Sequence, residues 1–213
     1  MLLRTGEETN KINKNIFHIL IFSIFVASCY YVPVLLIWFE IIPFEFRFQV
    51  LIIITIISAI YSFFRNHSLY DLGFRLDNIK YSLFLNCILI LLALIFLTTL
   101  YYSDNIRSPV IPEWKWFYIF YILISAPSQE FVFRSVLFAE LKKTNINSLF
   151  FKIILTSVTY SFLHLIYNDL LTLLITLLMG IVWGVIYSRT GNFWGVAFTH
   201  AVLGIISINI GLI

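Results

Sequence analysis

The chain has 213 residues, of which 61% are hydrophobic and only 12% are charged, with a net charge of +3. Soluble proteins carry about 25% charged residues, so this composition excludes an ordinary soluble domain and indicates an integral membrane protein. There is no cluster of Lys and Arg that would suggest a nucleic-acid partner. Cys29 and Cys87 both lie in apolar segments, which argues against a disulfide framework or a cysteine-rich metal site.

Seven apolar segments follow one another along the chain, and each approaches the roughly 20 residues that a helix needs to cross a bilayer. We therefore predict an all-α fold, a polytopic bundle of about seven transmembrane helices that forms a single integral membrane domain over residues 1–213. The turn residues Asn168 and Asp169 separate the fifth and sixth segments, and Gly191 suits a helix cap before the seventh. The segments lie near 16–39, 47–64, 80–102, 116–140, 149–167, 169–188 and 192–212.

The basic residues of the tail and loops are divided unequally between the two sides of this bundle. Ten lie on the side of the N-terminal tail, namely Arg4, Lys11, Lys14, Arg65, Arg75, Lys80, Lys142, Lys143, Lys152 and Arg189. Three lie on the other side, namely Arg47, Arg107 and Lys115. Because cytoplasmic loops are enriched in Lys and Arg, we predict that the N-terminus is cytoplasmic and the C-terminus is outside.

Ionisable residues interrupt three of the apolar segments. Glu130 and Arg134 lie in the fourth segment, His164 in the fifth and His200 in the seventh. At 1.5 Å per residue, Glu130, His164 and His200 come out at about 15, 18 and 12 Å from the cytoplasmic helix ends. Since charge at this depth is costly and marks function by default, we expect one polar chamber inside the bundle.

A carboxylate and two imidazoles are suited to activating water and to stabilising an oxyanion during hydrolysis of a peptide bond. The candidate catalytic residues are therefore Glu130, His164 and His200. Structural alternatives remain for each of them. Glu130 and Arg134 are four residues apart and suit a neutralising ion pair. Each histidine suits a hydrogen bond between helices, and Tyr160 suits either packing or a role as a hydrogen-bond donor.

Three short motifs contain these residues in a particular order. They are Gln129-Glu130-Phe131-Val132-Phe133-Arg134, Tyr160-Ser161-Phe162-Leu163-His164 and His200-Ala201-Val202-Leu203-Gly204. Over about 116–205 the chain resembles the CAAX-protease and bacteriocin-processing family (Abi, CPBP) of intramembrane glutamic endopeptidases. That family has Glu-Glu-x-x-x-Arg, aromatic-x-x-x-His and His-x-x-x-Asn motifs in the same order. The supporting motif positions here are Gln129, Arg134, Tyr160 and Gly204.

The resemblance implies an integral membrane endopeptidase that uses no cofactor and acts on a membrane-associated protein or peptide, in a bacterial cytoplasmic membrane. It implies that a glutamate of the first motif activates water, and that the histidines position this water and stabilise the oxyanion. No metal is implied, although Glu130, His164 and His200 are residue types that can hold zinc.

Two positions depart from the family motifs. Gln129 stands where the family has its first glutamate, and a neutral amide cannot accept a proton at any useful pH. Gly204 stands where the last motif has Asn, and Asn168 is a possible substitute. One hypothesis is therefore a protease in which Glu130 supplies the base. The alternative is a non-catalytic membrane protein with a binding, chaperone or immunity-type role. A transporter is a third class, which the lack of an inverted repeat disfavours.

Overall fold

The computed structural model describes residues 6–102, 112, 114–144, 146 and 148–212. Within these ranges the chain forms seven helical rods and no β-strand, which confirms the predicted all-α bundle of about seven helices. The rods are α1 over 6–38, α2 over Arg47–Phe64, α3 over Ile79–Tyr102, α4 over 117–143, α5 over Leu149–Leu163, α6 over Leu170–Thr190 and α7 over Phe193–Asn209.

The outer surface of the bundle is apolar, as expected of a protein surrounded by lipid. In the described part of the chain, five stretches are long and apolar enough to cross a membrane: Asn15–Trp38, Phe44–Phe64, Ile79–Thr99, Leu149–Tyr167 and Leu170–Thr190. Large apolar side chains such as Phe63 and Leu91 are exposed on them. The chain is thus an integral membrane protein. Its orientation stays a prediction, and two of the basic residues behind it, Arg4 and Arg107, lie outside the described residues.

Helix α4 carries the polar segment through the centre of the bundle. Its short α-helical piece Ala126–Glu130 lies between two π-helical pieces, Tyr121–Ser125 and Phe131–Val136. Such π-helical insertions are rare and are found frequently at functional sites. Every residue from 131 to 136 is buried, so the middle of α4 contacts protein rather than lipid.

The helix ends follow the predicted turn residues. Asn168 adopts a left-handed conformation at φ 51°, and the Asp169 side chain accepts a hydrogen bond from the Thr172 N–H at 2.7 Å. Gly191 caps α6 with φ 53°, and the Asn192 side chain accepts from the Gly195 N–H at 3.1 Å. These short connections make α5, α6 and α7 consecutive antiparallel neighbours, which brings the second and third motifs together.

Glycines allow the helices around the site to approach closely. A Cβ atom at Gly180 of α6 would lie 3.1 Å from the Cα atom of Ser157 on α5. A Cβ atom at Gly195 of α7 would lie 2.2 Å from the Ser82 hydroxyl of α3. Small residues at such crossings allow the helix backbones to come into direct contact.

A second polar cluster lies at the end of α4 and joins it to α2. The Arg65 guanidinium donates to both oxygens of Glu140, from Nε at 2.8 Å and from Nη2 at 3.0 Å. Arg65 Nη2 also lies 2.9 Å from His18 Nδ1 of α1, and the Glu140 side chain is fully buried. The cluster thus ties α1, α2 and α4 together.

Replacing Glu140 by Gln is expected to lower the free energy of unfolding by about 3 kcal/mol, because it leaves the Arg65 charge without its buried partner. Thermal unfolding in detergent measures the change. Asp77→Asn is the matched control, since it removes the exposed ion pair with Arg75, and exposed pairs contribute little to stability. Equal losses in the two variants would show that the Glu140 cluster is not a stabilising contact.

Candidate active site

The carboxylate of Glu130 is fully buried between a histidine and an arginine. Its Oε1 atom accepts a hydrogen bond from the Nδ1–H of His200 at 2.7 Å, across the contact between α4 and α7. Its Oε2 atom lies 3.5 Å from Nε of Arg134, which is long for a hydrogen bond but close enough for an ion pair. The pairing with Arg134 and a link to His200 therefore coexist in one carboxylate.

A cavity of about 850 Å³ lies beside this carboxylate and is lined by residues of α2, α3, α4, α5, α6 and α7. Gln129, Tyr160, His164 and His200 are among its polar lining residues, and α3 and α6 contribute apolar ones. Glu130 is not among the lining residues. Of the three predicted catalytic residues, the structure thus brings His164 and His200 to the cavity and holds Glu130 behind His200.

His200 is fixed on three sides. Glu130 accepts from Nδ1, the Trp183 ring stacks on the imidazole at 4.7 Å and 18°, and the Tyr160 hydroxyl lies 3.4 Å from Nε2. Because the carboxylate needs a donor, we assign the proton to Nδ1, which leaves the lone pair on Nε2. A carboxylate in this position orients the imidazole and stabilises the imidazolium that forms when Nε2 takes a proton.

His164 is oriented by its own helix. It lies in the 3₁₀ turn that follows α5, and its Nδ1–H donates to the backbone carbonyl of Tyr160 at 3.1 Å. The Tyr160 ring packs against it with centroids 4.9 Å apart. This assignment again leaves Nε2 as the free nitrogen, so both imidazoles at the cavity offer a hydrogen-bond acceptor or base.

Arg134 lies behind the cavity and supports its wall. The guanidinium carbon is 4.2 Å from the centroid of the Tyr160 ring and 5.7 Å from that of Trp183. Nη2 donates to the Gly180 carbonyl oxygen at 3.5 Å. The side chain is fully buried, so its charge is balanced by Glu130 and by the faces of two aromatic rings. Arg134 therefore joins α4, α5 and α6 without lining the cavity.

Gln129 occupies the position that the resemblance assigns to a glutamate base. Its amide Nε2–H donates to the Ser125 hydroxyl at 3.3 Å, and its Oε1 atom is buried with no hydrogen-bond partner in the described structure. The side chain lines the cavity and is 7% exposed. The structure thus places a neutral amide, rather than a carboxylate, among the groups that contact the cavity.

Gly204 lies one helical turn beyond His200, where the family motif has Asn. A Cβ atom built on Gly204 would lie 1.9 Å from the Tyr121 hydroxyl, so a side chain fits there only if Tyr121 moves. Asn168, the substitute considered from the sequence, instead accepts a hydrogen bond from Trp38 Nε1 at 2.6 Å and does not line the cavity.

Two residues of the site were missed by the motif analysis, and both contact His200. Trp183 stacks on its imidazole, and the ring of Tyr121 lies 6.3 Å from it, centroid to centroid. The sequence offers one indication for Trp183, which lies between Gly180 and Gly184 on α6. These glycines pack on α5, so Trp183 lies beside that contact. Tyr121 lies near the start of its segment, with no polar neighbour to mark it.

The zinc alternative is disfavoured by the position of Glu130. Among the described residues, no group of three His, Cys, Asp or Glu side chains is placed to hold a metal ion. Glu130 faces His200 Nδ1 and Arg134, whereas the unprotonated Nε2 atoms lie on the other edges of the imidazoles. The proposed zinc ligands Glu130, His164 and His200 are therefore not directed at a common point.

Together, the fold and the site define an integral membrane protein with a histidine-lined chamber enclosed by its helices. Residues 111–206 match the family model of the Rce1-like type II CAAX prenyl endopeptidases. The resemblance to the CAAX-protease family is thus confirmed for this region, which contains all three motifs. No curated protein and no solved structure matches the chain.

Proposed function

We propose that this protein is an intramembrane endopeptidase that hydrolyses a peptide bond of a membrane-associated protein or peptide inside the cavity. The observation that carries the proposal is the 2.7 Å hydrogen bond between Glu130 and Nδ1 of His200. It leaves Nε2 of a cavity-lining imidazole as a base that a buried carboxylate supports. The Rce1-like match over residues 111–206 supports the same class of activity.

In the proposed reaction, His200 Nε2 accepts a proton from water as the oxygen attacks the carbonyl carbon of the substrate. Glu130 stabilises the resulting imidazolium through Nδ1–H and does not itself contact the water. The tetrahedral intermediate then collapses. The C–N bond breaks, and the imidazolium returns its proton to the leaving amine. The products are a carboxylic acid and an amine, and Glu130 acts as a positioning residue rather than as the base.

The walls of the cavity favour a substrate with a long apolar portion. Leu89, Leu92 and Phe96 of α3 and Leu178 and Met179 of α6 line it, and Leu92 and Leu178 are exposed. An apolar chain in the bilayer would therefore reach the histidines between these helices. The family name makes a prenylated CAAX-type peptide the first substrate to test.

Replacing His200 by Ala is expected to lower the kcat for such a peptide by at least about 10³-fold, because the proton acceptor is lost. His164→Ala is expected to lower it by about 10²-fold, since one of the two groups that position water remains. Cleavage of a fluorescent prenylated peptide in proteoliposomes measures both. His67→Ala is the control, since this histidine contacts Glu140 and lies outside the cavity. Unchanged cleavage in both test variants would refute the proposal.

A non-catalytic binding role is the second candidate, and the placement of Gln129 favours it. The residue that lines the cavity at the expected position of the base is neutral, and Glu130 is held away from the cavity. Such a protein would bind a membrane-associated peptide without cleaving it. Retention of an intact labelled peptide by the wild-type protein, and its loss when Met179→Trp fills the cavity, would support this alternative.

A further inference from the structure

The hydroxyl of Tyr121 occupies the space beside Gly204 where another residue would place its side chain. A Cβ atom at Gly204 would lie 1.9 Å from the hydroxyl oxygen, 2.6 Å from Cζ and 2.8 Å from Cε1. The oxygen is therefore far inside van der Waals contact of the point where a side chain at position 204 would begin. Gly204 and Tyr121 fit together as a pair, on α7 and α4 respectively.

Tyr121 faces the same part of the cavity as the candidate base. Tyr121, Ser125 and Gln129 follow one another at intervals of four residues on α4 and all line the cavity. Gly204 is one turn beyond His200 on α7, and the Tyr121 and His200 rings are 6.3 Å apart. The Tyr121 side chain thus lies next to the imidazole that would activate water.

The Tyr121 hydroxyl is also a donor that the surrounding protein leaves uncommitted, as is the Trp183 Nε1–H. It forms no side-chain hydrogen bond within the described residues, although Tyr121 is only 9% exposed. By contrast, the Tyr160 hydroxyl lies 3.4 Å from His200 Nε2, and the Gln129 amide donates to Ser125. The Tyr121 hydroxyl is not one of the buried side-chain atoms that lack a partner, and Tyr121 lines the cavity, so the hydroxyl can donate a hydrogen bond to a group bound there.

We propose that the Tyr121 hydroxyl is the oxyanion donor of this site, at the place where the family motif has an asparagine side chain. The inference rests on the proposed peptide hydrolysis. When water adds to the scissile carbonyl, the carbonyl oxygen gains a negative charge, and the Tyr121 O–H donates a hydrogen bond to it without transferring its proton. The charge returns to the C=O bond as the amine leaves. Gly204 is required because it leaves room for this hydroxyl.

The test is Tyr121→Phe, which removes the hydroxyl and retains the ring. Removal of one oxyanion donor typically lowers kcat by about 10²–10³-fold, so we expect a loss of about 10²-fold with KM unchanged within about 2-fold. Tyr118→Phe is the matched control, since this tyrosine lies on the same helix and donates to Asn209 Oδ1 at 2.8 Å, away from the cavity lining. A purely structural role of Tyr121 would instead change KM or the melting temperature.

A second measurement does not depend on turnover. A prenylated peptide with a phosphinate in place of the scissile amide presents an anionic tetrahedral centre, and Tyr121→Phe should bind it about 10-fold more weakly than wild type. Equal phosphinate affinities would overturn the inference. Wild-type cleavage that Tyr121→Phe leaves unchanged would overturn it too, while the proposed hydrolysis would stand. If the wild-type protein does not cleave the peptide but Tyr121→Phe binds the phosphinate more weakly, the proposed hydrolysis is refuted. The hydrogen bond from Tyr121 to an anionic tetrahedral group would then still stand.

Discussion

Replacing Glu130 by Gln is expected to lower peptide cleavage by about 10⁴-fold, since amide substitution of a carboxylate that orients a catalytic histidine has an effect of this size. The amide can still occupy the space beside His200 Nδ1, but it cannot stabilise the imidazolium as a carboxylate does. It can also donate to Nδ1, which would move the imidazole proton to Nε2 and remove the base from the cavity. The kcat for a prenylated peptide measures the loss.

The same substitution has a structural cost that must be separated from the catalytic one. Arg134 is fully buried and its ion pair with Glu130 would be lost, which typically costs about 3–5 kcal/mol. The double variant Glu130→Gln/Arg134→Met also removes the unpaired charge. We therefore expect its melting temperature to lie well above that of Glu130→Gln and close to that of the wild type. Its cleavage rate should stay low, because His200 still lacks the carboxylate.

These two readouts distinguish the roles of Glu130. If the double variant regained cleavage together with stability, Glu130 would serve only to neutralise Arg134, and the proposed support of His200 would be wrong. If it regained stability alone, the carboxylate would act through His200. The result therefore tests the alternative, raised from the sequence, that Glu130 and Arg134 are simply an ion pair.

The helices could be predicted from the sequence because the bilayer imposes their length and composition. Each apolar segment had to be long enough to span, and residues such as Asn168, Asp169 and Gly191 suit the turns between helices. The predicted α2 range of 47–64 is the observed one. The predicted fourth segment ended at residue 140, whereas α4 continues to Lys143, because Glu140 is paired with Arg65 and is buried.

Some residues of the site could be predicted from the sequence, but the directions of their side chains could not. Counting 1.5 Å per residue placed Glu130 and His200 at similar depth, and their side chains meet at 2.7 Å. Which of Gln129 and Glu130 faces the cavity depends on the rotation of α4, and two π-helical pieces alter that rotation locally. The motif spacing contains no signal for this, so the sequence left open whether Glu130 supplies the base or only pairs with Arg134.

The contact between Tyr121 and Gly204 could not be predicted, because it joins residues far apart in the sequence and depends on side-chain packing between α4 and α7. The absence of a side chain at position 204 looked like the loss of a functional group. The structure adds that a tyrosine from another helix occupies the vacant space. A departure at one motif position is therefore informative only together with the residues that pack against it.

Restoring the family asparagine by Gly204→Asn alone is expected to destabilise the protein by about 1–3 kcal/mol, the usual cost of overpacking a core. The new Cβ atom would lie 1.9 Å from the Tyr121 hydroxyl. The Tyr121 ring packs against Phe117 at 5.9 Å and His200 at 6.3 Å, so it has little freedom to retreat. Thermal unfolding of the purified variant in detergent measures the loss.

The double variant Gly204→Asn/Tyr121→Ala should relieve this clash, because the space taken by the tyrosine becomes free for the asparagine. We expect the double variant to lose less stability than the sum of the losses of the two single variants. The difference, which is the coupling free energy between positions 121 and 204, should be about 1 kcal/mol or more. It should also cleave faster than Tyr121→Ala alone, since the asparagine amide can then donate to the oxyanion. The Gly204→Asn/Tyr118→Phe variant is the control and should show no coupling. Equal, additive losses in both double variants would mean that Tyr121 and Gly204 do not share this space.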